Sequence, residues 1–148
     1  MRCIKLTDAE GRTYGGTQWG PGVIHEAPGE GELCSAGWIH VYDDAGVAAF
    51  MNPIHGQFSD PCFWEAEGDG KTINDCGLKR GVQRCKTIRE IEAIVPTLEQ
   101  KVAFAIYCAQ VRDNGAPWRR WADEWLSGAN RSESAAWSAA WSAAGSAA

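Results

Sequence analysis

Glycine divides this chain into two parts that must fold differently. Fourteen of its seventeen glycines lie in residues 1–81 and three lie beyond. Glycine destabilises helix interiors but serves turns, bulges and close backbone approaches. The first part therefore reads as short strands joined by tight turns, and the second as helix. The expected fold class is α+β, a small, mainly antiparallel sheet in the N-terminal two-thirds packed with C-terminal helices. Residues 1–130 read as one domain, strand-rich over 1–94 and helical over 96–128, followed by an Ala/Ser/Trp tail over 131–148. A chain of 148 residues has room for one such core and an appendage.

The strands are written as runs of β-formers between turn residues. Cys3 to Thr7 alternates Ile4 and Leu6 with Lys5 and Thr7. Val23 to Ala27 follows the turn Trp19-Gly20-Pro21-Gly22, and Gly37 opens Trp38-Ile39-His40-Val41-Tyr42. Cys62 to Glu67 ends at Gly68-Asp69-Gly70, read as a turn, and Gln83 to Ile91 forms a last strand. Ala45 to Met51 reads as a short helix stopping before Asn52-Pro53. After Pro96, Thr97 and Gln100 have the spacing of a capping box. Leu98, Val102, Ala105, Ile106 and Ala109 then mark one helix face, expected to end near Asp113-Asn114-Gly115. A second helix from Pro117 aligns Trp118, Trp121, Ala122 and Trp125 and stops at Gly128. In the tail, Trp137-Ser138-Ala139-Ala140 repeats as Trp141-Ser142-Ala143-Ala144. That places two indoles one helical turn apart, as a means of docking or of homo-oligomerisation.

Composition narrows the function classes. Fourteen Lys and Arg against nineteen Asp and Glu give a net charge of −5, the wrong sign for a protein that coats nucleic acid. No run approaches the ~20 apolar residues of a membrane span. Met1-Arg2-Cys3-Ile4-Lys5 lacks the apolar centre of a signal peptide, so a cytoplasmic protein with no membrane partner is expected. The six cysteines, at 3, 34, 62, 76, 85 and 108, form no C-x-x-C pair and are expected to be reduced and mostly buried. The charge is segregated. Residues 26–75 hold ten acids and one base, Lys71, whereas 76–89 hold Lys79, Arg80, Arg84, Lys86 and Arg89 and no acid. That basic run is either a solvated strand-turn-strand beside acidic strands or a patch that binds phosphate or an acidic surface.

The best candidate face belongs to Trp38, His40 and Tyr42. Alternation sets these three opposite Ile39 and Val41. An aromatic, an imidazole and a phenol in a row can stack on a ring and bond its edge, or be an inner packing layer. Glu65 shares a strand face with Phe63 and Glu67 and would gain interest by meeting His40 across a sheet. With Lys79, Arg80 and Arg84, these are the candidate ligand- or partner-binding residues. A Cys34/His40 nucleophile pair is weak, since six residues of continuous strand span about 20 Å. The Ser35-Ala36-Gly37 turn offers a way to shorten that span, though nothing in the sequence demands it. His25, His40, His55 and Cys34 match no metal-ligand spacing. No P-loop, G-x-S-x-G or H-E-x-x-H is present. The sequence calls for no cofactor or metal.

A series of short elements runs along the chain. It comprises Thr17-Gln18-Trp19-Gly20-Pro21-Gly22, His25 to Gly29, Leu33-Cys34, Gly37 to Tyr42, Asn52-Pro53-Ile54-His55 and Phe63 to Glu67. It continues with Gly77-Leu78-Lys79, Thr87 to Ile91 and Glu99 to Phe104. Together they resemble a family of small uncharacterised proteins of tailed phages and prophages. Relatives share a Cys followed by Gly-aromatic-x-His and an Ala-rich tail. The resemblance covers nearly the whole chain and carries over no catalytic residue. The family's tail often sets Arg between its alanines, where this chain has Ser and Trp. The resemblance implies an accessory protein of the bacterial host cytoplasm. It would be a non-catalytic binder of a host factor that inhibits anti-phage defence, by occluding a protein or sequestering a nucleotide signal. One alternative is an enzyme on a nucleotide or NAD, of ADP-ribosyltransferase type, with His40 or Tyr42 holding substrate and Glu65 stabilising positive charge or acting as base. A third is an assembly protein that oligomerises through Trp137 and Trp141.

Overall fold

The long hairpin of β6 (Cys62–Asp75) and β7 (Lys79–Ile91) is the frame of the sheet. In the computed structural model, residues 1–110 and 115–134 are described. β1 (Arg2–Thr7) runs antiparallel to β6, from Arg2 opposite Glu67 to Thr7 opposite Cys62. β2 (Arg12–Thr13) and β3 (Thr17–Gln18) make a separate two-stranded ribbon. On its other edge β7 carries two short strands end to end. β4 (Ile24–Glu26) lies against Lys86 to Arg84, and β5 (Ile39–Val41) lies against Val82 to Arg80. Just past β5, Tyr42 and Ile4 exchange backbone hydrogen bonds of 2.7 and 2.9 Å. β1 is thereby bonded on both edges, and the circuit β1-β6-β7-β5 closes. Cys3, Trp19, Val41, Ala66, Val82 and Cys85 form one buried cluster, with Ile39 against it. This is the expected α+β architecture with a mainly antiparallel sheet.

Closure explains the first departure from the sequence pattern. On a sheet with one wet face, Lys5 and Thr7 would lie opposite Ile4 and Leu6 and meet solvent. Lys5, Leu6 and Thr7 are all buried instead, because both faces of β1 are covered. Thr7 satisfies its hydroxyl by donating to the Asp8 carbonyl and accepting from the Trp64 indole N–H at 3.0 Å.

Three boundaries also move. Gly68-Asp69-Gly70 is not a turn. The ladder runs through it with a shift of register between Asp69 and Thr72, and Gly70, at φ +78°, supplies the irregular residue. The reversal comes at residues 76–78, where Cys76 adopts φ +45° and the Leu78 N–H reaches the Asp75 carbonyl. α1 (Ala45–His55) is capped by Asp44, whose carboxylate accepts from the Gly46 and Val47 N–H groups, and it passes through Pro53. The proline falls in the last turn, where its missing N–H forfeits one bond. Asn52 compensates, its amide bonding both the N–H and the carbonyl of Phe58. The cysteines are less buried than expected, since only Cys3 and Cys85 are fully enclosed and Cys34, Cys76 and Cys108 are exposed.

The chain falls into two compact units, Met1–Pro96 and Thr97–Ala148. In the second, α2 (Leu98–Ala109) opens with the expected capping box. Thr97 Oγ1 accepts from the Gln100 N–H, and Gln100 Oε1 accepts from the Thr97 N–H. It stops at Ala109, short of the expected end, and residues 111–114 are outside the described part. α3 (Gly115–Ser127) buries Trp118, Ala122 and Trp125 with Ile106 of α2. Trp121 lies between its neighbours, 6.2 and 5.9 Å from the Trp118 and Trp125 rings. Gly128, at φ +80°, ends the helix as read. The Trp137 and Trp141 repeat lies outside the described residues. No helix among the described residues is long and apolar enough to cross a membrane.

Replacing Thr7 by the isosteric Val removes the acceptor of the Trp64 indole while keeping the volume. Chemical denaturation is expected to show a loss of about 1–3 kcal/mol.

Candidate functional site

A loop folded back across β7 creates the site. Residues 29–37 are closed by the Gly29 N–H bonding the Gly37 carbonyl at 2.8 Å. Trp38 donates its indole N–H to the Gly31 carbonyl at 2.9 Å, and the His40 Nε2–H donates to the Leu33 carbonyl. Gly81, opposite His40 in the β5–β7 pairing, makes the fold-back sterically feasible. A Cβ there would stand 2.8 Å from Ile73 and 2.9 Å from both Leu33 and Trp38. The turn at Ser35-Ala36-Gly37 thus does fold the Cys34 region back toward β5, which an extended strand would forbid.

The partner given to Cys34 is a lysine. Lys79 Nζ donates to Cys34 Sγ at 3.0 Å. The two bound one side of an open cleft of about 1040 Å³, also lined by Lys5, Trp38, His40 and Tyr42. Lys5 reaches it from β1, donating to the His40 carbonyl at 3.0 Å and lying over the Trp19 ring at 5.1 Å. Both lysines are largely enclosed by the fold, with Lys5 7% and Lys79 6% exposed. Neither has a carboxylate within ion-pair distance among the described residues. Buried charges are ordinarily paired, because desolvation otherwise costs several kcal/mol.

Burial holds Lys5 at about 8, well below the usual lysine range. His40 is pushed below the ordinary imidazole value, first by burial and then by Lys79 and Lys5 nearby, against the opposing bond to Leu33. Its Nε2 carries the proton given to that carbonyl. Burial raises Tyr42 to about 12. The phenol therefore stays protonated and bonds His55 Nδ1 at 3.3 Å across to α1. His55 is itself pushed down, by burial and then by Lys79. The cleft wall thus sets Lys5 and Lys79 beside His40, His55 and Tyr42, whose charged forms burial disfavours, and it also includes the carboxylates of Asp8 and Glu26.

The remaining candidates are engaged elsewhere. Arg80 forms a two-pronged bond with Asp43, at 2.8 and 2.7 Å, and holds that carboxyl below its usual range. Arg84 meets Glu26 at 3.1 Å and Asp69 at 4.0 Å, and Arg89 meets Glu65 at 2.7 Å. Glu65 does not line the cleft, so the Glu65–His40 meeting imagined across the sheet is not made. Within the basic run, the arginines that are paired close onto acidic neighbours, and Lys79 alone faces the cleft. Lys5, Trp19 and His55 join the expected Trp38, His40 and Tyr42 at the cleft, and no spacing in the sequence places the first three there. The sequence signal for Lys5 was a lone cation among Cys3, Ile4 and Leu6. Among the described residues, no group of three or more His, Cys, Asp or Glu is arranged to hold a metal. Compared with protein-family models, curated proteins and solved structures, the chain matches none.

The lysine burial has a measurable signature. A group held near 8 instead of 10.5 lowers folding stability at neutral pH by on the order of 3 kcal/mol. Between about pH 8 and 10.5 the unfolded chain keeps the Lys5 proton and the folded chain has lost it, so this group makes stability rise with pH. Lys5→Met is expected to be more stable than the parent at pH 7, with the difference shrinking as pH rises through that window. Paired urea titrations at pH 7 and 10 check it.

Proposed function

We propose that this chain is a non-catalytic binding protein that takes a nucleotide-like, phosphate-bearing small molecule into the cleft between Lys5 and Lys79. One observation carries the reading: two lysines, each more than nine-tenths buried as a residue and neither within ion-pair distance of a carboxylate among the described residues, border a single cavity. An oxyanion seated there supplies the missing counter-charge, and hydrogen bonds between ionised partners are the strong ones. Trp38, half-buried on the same cleft, offers ring surface to a base, and Tyr42 behind it is buried against His55. The volume is ample for a ligand of nucleotide size. With the resemblance to small phage proteins, the ligand is a host nucleotide signal and its capture blunts bacterial defence. The cleft supports capture of a small molecule over occlusion of a protein surface. The enzymatic alternative gains nothing from Glu65, which is paired with Arg89 and lies off the cleft lining.

Native mass spectrometry of protein purified from a bacterial host, followed by calorimetry with nucleoside polyphosphates and cyclic dinucleotides, tests this. A retained nucleotide-sized mass is expected. Lys79→Gln is expected to weaken binding about ten- to a hundredfold, the loss of one charge-assisted bond. Affinity is expected to fall as pH rises above about 8, where Lys5 loses its proton. No retained mass together with no binding across that panel, or undiminished affinity in Lys79→Gln, overturns the reading.

A further inference from the structure

We propose that Cys34 is a modification site, a thiol placed for exchange with anionic disulfides that Lys79 and Lys5 draw into the cleft. The inference shares the two lysines with the reading above but needs no nucleotide. Its first ground is contrast among the six cysteines. Cys3 and Cys85 are buried. Cys62 is half-buried, directs its thiol at the Ala9 carbonyl, and is pushed up by burial and then by Glu90. Cys76 and Cys108 are exposed, and neither has a lysine or arginine bonded to its sulfur among the described residues. Among the described residues, Cys34 alone combines exposure with a cation on its sulfur, the Lys79 ammonium at 3.0 Å.

The second ground is Lys79 itself. Its side chain is more than nine-tenths buried, has no carboxylate partner among the described residues, and is aimed at this sulfur from the wall of the cleft. This ammonium sets a positive charge at the sulfur, the point where the attacking thiolate meets an incoming anion, in a cleft whose lining also includes the carboxylates of Asp8 and Glu26. Lys5, on the same cleft, adds a second positive charge for the anion's carboxylate or sulfonate.

The step is ordinary thiol–disulfide exchange and balances without a further reagent. Cys34 gives its proton to water. Sγ attacks one sulfur of the disulfide, a new S–S bond forms as the old one breaks, and the second half departs as a thiolate with the electron pair. The capped Cys34 then carries an anionic group beside Lys79, and the cleft loses positive charge. A thiol reductant reverses the reaction.

The experiment uses the full chain with Cys62→Ser, Cys76→Ser and Cys108→Ser, so that Cys34 is the exposed thiol that remains. Its rates with anionic dithiobis(nitrobenzoate) and with neutral dithiodipyridine are followed by the absorbance of the released thiol. The same rates for a short cysteine peptide serve as reference. The anionic-to-neutral rate ratio is expected to exceed the peptide's by about tenfold or more and to shrink as salt is added. Cys34→Ser in that background abolishes the fast reaction, Lys79→Arg keeps the ratio high, and Lys79→Gln brings it down. If Lys79→Gln fails to fold, the salt dependence of the parent carries the test. A ratio equal to the peptide's with no extra salt dependence, or a Cys34 that does not react in the folded protein, overturns the proposal.

Discussion

The pairing of β6 with β7 is the constraint on which the rest of the first unit depends. Every other strand of the large sheet is bonded to one of these two, β1 to β6 and both β4 and β5 to β7. The backbone bonds between Ile4 and Tyr42 then tie the two sides together. A sheet closed in this way has little unpaired edge near β1, and it encloses side chains that an open sheet would leave wet. The enclosure is chemically indifferent. It takes in Cys3 and Val41, and it takes in Lys5 with them.

The electrostatics of the sheet follow from which cations the ladder sets opposite acids. β7 carries Arg84 and Arg89 opposite Asp69 and Glu65 of β6, and Arg80 finds Asp43 just beyond β5. These are partly exposed pairs of modest individual worth. They cancel the segregated charge of the sequence locally. Lys79 and Lys5 escape that cancellation, the first at the start of β7 under the 29–37 loop and the second inside the closed circuit. Two lysines without a carboxylate partner among the described residues are thereby left on one cleft, whose lining also carries Asp8 and the Arg84-paired Glu26.

The fold was legible wherever it depended on local chemistry. Glycine placement separated sheet from helix, the Thr97/Gln100 capping box marked the start of α2, and the Trp118–Trp125 face marked the packing side of α3. What was not legible was long-range. Gly68-Asp69-Gly70 carries turn residues, and only the opposing strand shows that they serve a bulge. The alternation through Lys5 describes a half-exposed strand, and only the Ile4–Tyr42 closure shows that both faces are covered. Trp38, His40 and Tyr42 do lie at one cleft. The cysteine–lysine contact there depends on β5 pairing with β7 at Gly81, a register that no spacing in the sequence encodes. The basic run was visible, but the division between its paired arginines and its unpaired Lys79 was not.

The β1–β6 pairing also sets an order of events. Thr7 bonds opposite Cys62, and Arg2 opposite Glu67. During synthesis β1 leaves the ribosome well before β6 does, and β5 has its main partner, β7, later still. Apart from the Ile4–Tyr42 bridge, no strand of the large sheet has its neighbour until the hairpin emerges. Until then the strands made earlier lack their main partners, and the large sheet is completed only when β6 and β7, the last of its strands to be made, pair with each other and with what preceded them.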